Sequence, residues 1–349
     1  MLQRLHPLPL LLIGCNMAAG GTVAYSNTSA STPSHARQSC PGTLTWSTNH
    51  APRKPPNITN PNLLWLGFTG QPDPAGCSFD PAAQSGFANL GASDDLRTLA
   101  AGASLGMAGL YRLQRHLTQR NWFPNGSYAG LNLTADYRER WAALSASLRP
   151  WVANGTVRGF HLGDELCWNG LPYEQLASLA EMVGGTEWGA AAPPMIVYTN
   201  EAMGPIVCDV DYFGRRVGYA KVPDAVTWVS FDFYNPPASH VRWLYELHLY
   251  PKMAPHQRAL LVPDASASAH RDPPPGWTVA DMVARAWEYF EWAASDSSGR
   301  VVGLNPWHWT TVEYREGGYW ELGIESVPEL KQAWMQIGQA ILANRQSEP

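Results

Sequence analysis

Along residues 60–345, short and almost continuous apolar runs alternate with longer stretches whose apolar positions recur every three to four residues. The runs are Leu63 to Thr69, Gly86 to Gly91, Met107 to Leu113, Val157 to Gly163, Met195 to Thr199, Val226 to Phe231, Ala259 to Val262 and Val301 to Asn305. Runs of this length, bounded by turn residues, predict strands buried on both faces. The stretches Asp94 to Leu105, Ala135 to Val152, Tyr173 to Val183, His240 to Tyr250, Val279 to Ala294 and Pro328 to Leu342 predict helices. Gly126 to Tyr128 and Pro273-Pro274-Pro275 read as loops. Eight strand-like runs interspersed with helical stretches, without a second compositional class, predict an α/β fold, a (β/α)8 TIM barrel over residues 60–349. The competing doubly wound sheet lacks support: no G-x-G-x-x-G turn follows the first strand, and there is no P-loop. Residues 25–59 are rich in Ser, Thr, Pro and Asn without sustained periodicity, and predict a poorly structured N-terminal arm.

Three runs end in the same way, with polar groups followed by aromatic rings. They are Phe160-His161-Leu162-Gly163-Asp164-Glu165-Leu166-Cys167-Trp168, Val229-Ser230-Phe231-Asp232-Phe233-Tyr234 and Leu304-Asn305-Pro306-Trp307-His308-Trp309. In a barrel the C-terminal ends of the strands face the mouth, where catalytic groups collect. Cleavage of a glycosidic bond needs a carboxylic acid to protonate the leaving oxygen and a second carboxylate to attack carbon or activate water. Glu165 fits the acid, with apolar neighbours Phe160, Leu166 and Trp168 expected to raise its pKa. Asp264, Asp232 and Glu201, in that order, are candidates for the second carboxylate. Trp168, Tyr198, Tyr234, Trp307 and Trp309 are candidate floors for sugar rings, and Asp164, Asn200, Glu201, Asp232 and His308 candidate partners for sugar hydroxyls.

The segment Leu162-Gly163-Asp164-Glu165 resembles the clan A (β/α)8 glycoside hydrolases, whose fourth strand typically ends in Asn-Glu with the Glu as acid/base. The resemblance implies that Glu165 takes that role, with Asp164 replacing the usual Asn. On strand seven, where that clan carries a nucleophilic Glu, this chain reads Val262-Pro263-Asp264-Ala265. The shorter Asp264 arm widens the carboxyl gap from the about 5 Å of retaining enzymes towards the inverting range, so neither stereochemistry is assigned. The alternative is a barrel that binds glycans without cleaving them. A metal-dependent hydrolase built on His161, Asp164, His270 and His308 would want an H-x-H pair on strand one, which is absent, and a serine esterase would want G-x-S-x-G. No metal and no cofactor are expected.

Composition narrows the partner. A net charge of -5 with 15% charged residues offers no basic footprint for nucleic acid or an anionic membrane, whereas 16 Trp and 14 Tyr suit a carbohydrate. Residues 1–24 read as a signal peptide, with Arg4 before the apolar stretch Leu8 to Ile13 and small residues Ala18, Ala19 and Gly20 after it; the stretch is too short to span a bilayer. Secretion is therefore expected, with a lipid anchor on Cys15, in Leu12-Ile13-Gly14-Cys15, as the alternative. Sequons at Asn27, Asn57, Asn125, Asn132 and Asn154 suit a secreted glycoprotein. Removing the leader leaves Cys40, Cys77, Cys167 and Cys208; of three pairings, Cys40 with Cys77 and Cys167 with Cys208 is favoured, because the second would join neighbouring barrel loops.

Overall fold

The structure, a computed structural model, describes residues 53–68, 81–124, 126–189, 192–234, 236–268, 278–314 and 319–346. The leader, Cys15, Asn27, Cys40, Cys77, Asn125 and His270 lie outside them. Eight parallel strands form one sheet: β1 (Trp65–Leu66), β2 (Leu90–Ser93), β3 (Ala108–Arg112), β4 (Val157–Asp164), β5 (Ile196–Ala202), β6 (Trp228–Asp232), β7 (Arg258–Leu261) and β8 (Val301–Leu304). Each strand from β2 to β8 pairs with the next, and β8 pairs with β1. The remaining seam, between β1 and β2, is spliced by buried Asn89. Its backbone N–H donates to Leu66 O at 2.9 Å, its Oδ1 accepts from Leu66 N at 2.9 Å, and its Nδ2 donates to Leu64 O at 2.7 Å. A side-chain amide thus replaces the ladder that a two-residue strand cannot supply.

Alternation along the strands divides the core into two. Leu90, Ala92, Ala108, Leu110, Tyr198, Trp228, Leu260 and Val302 fill the barrel, with Trp65 and Ile196 packed against them. Residues of opposite parity, such as Tyr111, Phe160, Val197, Val229 and Phe231, join the layer packed against the helices. Gly159 is required where β4 crosses this interior: a Cβ there would stand 2.5 Å from Ile196 O and 2.9 Å from the Leu110 side chain.

The main helices are α1 (Leu96–Ser104), α2 (Tyr137–Ala153), α3 (Tyr173–Gly184), α4 (Ala238–Leu244), α5 (Val279–Ala294) and α6 (Pro328–Gln346). Asp95 caps α1 through the N–H groups of Arg97 and Thr98, and Thr278 with Asp281 forms a capping box on α5. The C-terminal carbonyls of α5 are satisfied by Thr59, whose N–H donates to Ala294 O at 2.8 Å, and by Asn60, whose Nδ2 donates to Ala293 O at 2.9 Å. The last residues assigned to the arm therefore dock on the barrel, and Arg53 pairs with Glu291 of α5 and lies over the Trp287 ring.

Several expectations change. The predicted helix His240 to Tyr250 starts at Ala238 and passes at Tyr245 into a π-helical turn, Tyr245–Leu249. Gly126 and Ser127, read as a loop, do lie in one, but it is the turn of an antiparallel hairpin of Thr118–Trp122 and Tyr128–Leu133, whose second strand takes in Tyr128. Cys167 and Cys208 are not bonded to each other. The Cys167 thiol is buried and hydrogen-bonded to the Glu201 carboxylate, whereas Cys208 closes a π-helical turn after β5, so the predicted bridge is corrected to a buried thiol–carboxylate contact. Among the sequons, Asn57 and Asn154 are exposed, while Asn132 is partly buried and accepts a hydrogen bond from Gln175.

Candidate active site at the barrel mouth

The C-terminal ends of β4, β5 and β6 bring Asp164, Asn200 and Asp232 together. A register irregularity after His161 lets Asp164 lie beside Asn200, and β5 pairs with β6 up to Asp232. Asn200 Nδ2 donates to Asp164 Oδ1 at 2.8 Å and to Asp232 Oδ2 at 2.9 Å, so one amide ties the two carboxylates. Ser230 Oγ donates to Asn200 Oδ1 at 2.5 Å, and Tyr198 donates in turn to Ser230 Oγ at 2.8 Å. This chain fixes the amide orientation from inside the barrel. Tyr234 adds a hydrogen bond to Asp232 Oδ2 at 3.0 Å.

Glu165 sits one residue past β4 with φ 51°, in the left-handed region that a Glu rarely adopts. The turn is held on both sides: Glu165 N–H donates to Asn200 O at 2.8 Å, and Glu165 O accepts from the Asn169 backbone at 2.8 Å and Nδ2 at 2.9 Å. Its carboxyl donates a hydrogen bond to Asp232. Burial, then the charges of Asp232, Asp164 and Glu201, push its pKa up to about 9. Burial and Asp164 raise Asp232 too, and burial raises Asp164 against the opposing Asn200 hydrogen bond and Arg112 cation. Three carboxyl groups in one partly dried pocket cannot all ionise, so the cluster retains protons at neutral pH.

The other predicted residues fall elsewhere. Glu201 is 0% exposed and has the parity that faces the helices. It accepts from Cys167 N at 3.1 Å and Trp168 N at 3.3 Å, which makes it the anchor beneath the Glu165 turn and not a partner for sugar hydroxyls. Asp264 is 2% exposed and ion-paired at 3.2 Å with Arg285, itself buried on α5. It is not among the principal charges acting on Glu165. Trp309 is 1% exposed, packed 5.1 Å from the Phe68 ring and covered by Lys331, and so cannot floor a subsite. Tyr198 is buried inside the barrel on His161, ring centroids 4.8 Å apart, and His308 is also buried. Trp168, Tyr234 and Trp307 remain partly exposed.

Three residues absent from the sequence expectations, Gln114, Tyr245 and Arg285, shape the site together with Arg112, which the sequence offers as a cation for a mouth carboxylate. Gln114 Oε1 accepts from Asp164 N at 3.1 Å. Arg112 supplies the cation acting on Asp164 and, after burial, helps push His161 down to about 3, keeping that imidazole neutral. Tyr245, on the π-helical turn, donates to Phe231 O at 2.6 Å and accepts from Phe231 N at 3.0 Å, steadying β6 just before Asp232. Arg285 claims Asp264. Only Arg112, at a strand end, carried a signal in sequence; the others come from helices and turns whose register sets the contact.

No protein-family model matches this sequence, and no curated protein matches it. Among solved structures, the chain is similar to a GH2 β-galacturonidase from Eisenbergiella tayi. The galacturonate-bound form has a TM-score of 0.52 at 13% identity, over 79% of this chain and 51% of that one. The glycerol-bound form has a TM-score of 0.51 at 13% identity, over 79% and 50%. The chain spans about half the length of these structures. At such identities the likeness is one of architecture: the shared feature is the (β/α)8 barrel.

Proposed function

We propose that this protein is a secreted glycoside hydrolase with Glu165 as proton donor and Asp232 as the partner carboxylate. The observation that carries the reading is the direct hydrogen bond from the Glu165 carboxyl to Asp232 at the mouth, in a cluster oriented by Asn200. A general acid must be protonated at working pH, and burial with neighbouring negative charge achieves this for Glu165. In the reaction, the Glu165 proton passes to the glycosidic oxygen as the bond to the anomeric carbon breaks. Asp232 attacks that carbon or removes a proton from the water that does. Asp164 and Asn200 hold the cluster in register, and Tyr234 and Trp168 are placed to meet the sugar. Asp232 is preferred over Asp264 because Asp264 is neutralised by Arg285.

A glycan-binding barrel without turnover is the second reading. It is favoured by the strand-seven carboxylate, Asp264, being buried in an ion pair with Arg285 and not open to the mouth. The deciding experiment is release of new reducing ends from plant, algal and fungal polysaccharides by wild type and Glu165→Gln. Turnover lost in the variant while glycan binding persists supports the hydrolase; binding without turnover in both proteins refutes it.

A further inference from the structure

Beside the carboxyl cluster, three loops from the ends of β3, β4 and β5 are joined into one ledge. The hairpin formed by Thr118–Trp122 and Tyr128–Leu133 docks on the loop after β4, where Leu131 N donates to Asn169 O at 2.8 Å and the Tyr128 hydroxyl donates to the same oxygen at 3.1 Å. The loop after β5 joins through Tyr212 N, which donates to Trp168 O at 2.8 Å. The ledge carries a continuous file of rings. Trp168 meets Tyr212 at 5.8 Å, Tyr212 meets Phe213 at 5.4 Å, Phe213 meets Tyr128 at 5.9 Å, and Tyr128 meets Trp122 at 5.7 Å.

The file begins three residues from Glu165 and ends at side chains open to solvent. Trp122 is 58%, Phe123 50% and Tyr212 61% exposed. Of the six large apolar side chains exposed among the described residues, half thus lie on this one ledge. Exposed rings cost solvation and are retained where something covers them. The surroundings are polar: exposed Arg120, partly exposed Asn121, and Arg215 stacked 4.6 Å above Phe213. Ring faces interleaved with hydrogen-bond donors match a pyranose, which is apolar on its C–H face and polar at its rim. A dry protein contact would instead want a contiguous apolar centre.

We propose that this ledge is a platform for an extended glycan chain, so that the substrate is an oligo- or polysaccharide bound over several sugars on one side of the scissile bond. The proposal rests on the glycosidase reading of the carboxyl site and adds to it the substrate's length. Backbone hydrogen bonds hold the loops, so the rings are ordered before the glycan arrives and little ordering entropy is lost on binding.

The test uses the full chain carrying Glu165→Gln, titrated calorimetrically with α-1,4- and β-1,4-linked oligomers of glucose and with β-1,4-linked oligomers of mannose, xylose and N-acetylglucosamine, from disaccharide to hexasaccharide. One series should bind with affinity that rises with length. Trp122→Ala and Tyr212→Ala should each lower hexasaccharide affinity about tenfold and flatten the rise. Trp243→Ala, which removes an exposed Trp on α4, should leave binding unchanged. Length-independent binding, undiminished binding by the ring variants, or no binding by any series would overturn the platform. Cleavage by the protein with Glu165 intact separates the two readings. Ring-dependent binding without cleavage sinks the hydrolase and keeps the platform, whereas cleavage indifferent to the rings does the reverse.

Discussion

The role of Asp264 can be decided by separating its contribution to folding from any contribution to turnover. Its carboxylate lies 3.2 Å from Arg285, with side-chain exposures of 2% and 8%. At that distance and an effective dielectric of about 20, the attraction is about 5 kcal/mol, most of which offsets the desolvation of the two charges. Removing one partner takes a counter-charge from the other, which stays buried with its remaining contacts, among them the Ser266 hydrogen bonds to Asp264, and such truncations cost about 3–5 kcal/mol. Arg285→Met should therefore cost roughly that much, a large share of the about 5–15 kcal/mol that stabilises a typical domain. Asp264→Asn should be nearly as damaging, and the double variant Asp264→Asn/Arg285→Met should recover much of the loss because neither charge is left buried without its counter-charge. Urea unfolding of the four proteins, with slopes compared to confirm a common unfolded state, measures the coupling. If Asp264→Asn stays within about 0.5 kcal/mol of wild type while glycan turnover disappears, Asp264 is a reacting group and its assignment to the ion pair is refuted.

Other consequences follow from the same geometry. The folded pKa of Glu165, about 9, and that of Asp232, about 7, both lie above their ordinary carboxylate values. The folded state therefore holds extra protons between those limits. The stability linked to these protons is complete below about pH 4 and is lost as pH rises through 7 and then 9, at up to about 1.4 kcal/mol per pH unit per group. Urea midpoints measured from pH 5 to pH 9 should fall, and fall less steeply in Asp232→Asn; a flat profile in wild type would contradict the protonated cluster. In the hydrolase reading, the basic limb of kcat/KM follows Glu165 and should move to lower pH in Asp164→Asn, which removes one of the negative charges that raise it and leaves Asp232 in place. Asn89→Leu should cost about 2–5 kcal/mol, because the buried Leu66 N–H and Leu64 carbonyl lose their partners, and hydrogen exchange at Leu66 should accelerate. Gly159→Ala should destabilise by about 1–3 kcal/mol in thermal or urea unfolding, since its methyl would meet Ile196 O at 2.5 Å.

The barrel was legible because its strands are apolar on both faces and therefore appear as unbroken runs. Helix α5 was legible to its ends, because Thr278 and Asp281 spell out its cap. The hairpin was not: Thr118–Trp122 reads Thr-Gln-Arg-Asn-Trp, a polar run whose strand character comes from backbone pairing outside the barrel. The site shows the same division. Glu165 could be found from its place at a strand end, whereas the partners of Asp264 and Asp164 come from Arg285 on α5 and Gln114 on a short helix, contacts that depend on packing. Strand parity held more information than strand ends alone. Tyr198 and Trp228 point into the barrel, so two-residue alternation carries Asn200 and Asp232 inward and turns Glu201 outward to the helices. That parity ranks Asp232 above Glu201 as the partner of Glu165. It does not rank Asp264, which lies past the ladder of β7 on isolated parallel bridges, Val262 with Asp232 and Asp264 with Trp307, and whose contact with Arg285 depends on where α5 packs.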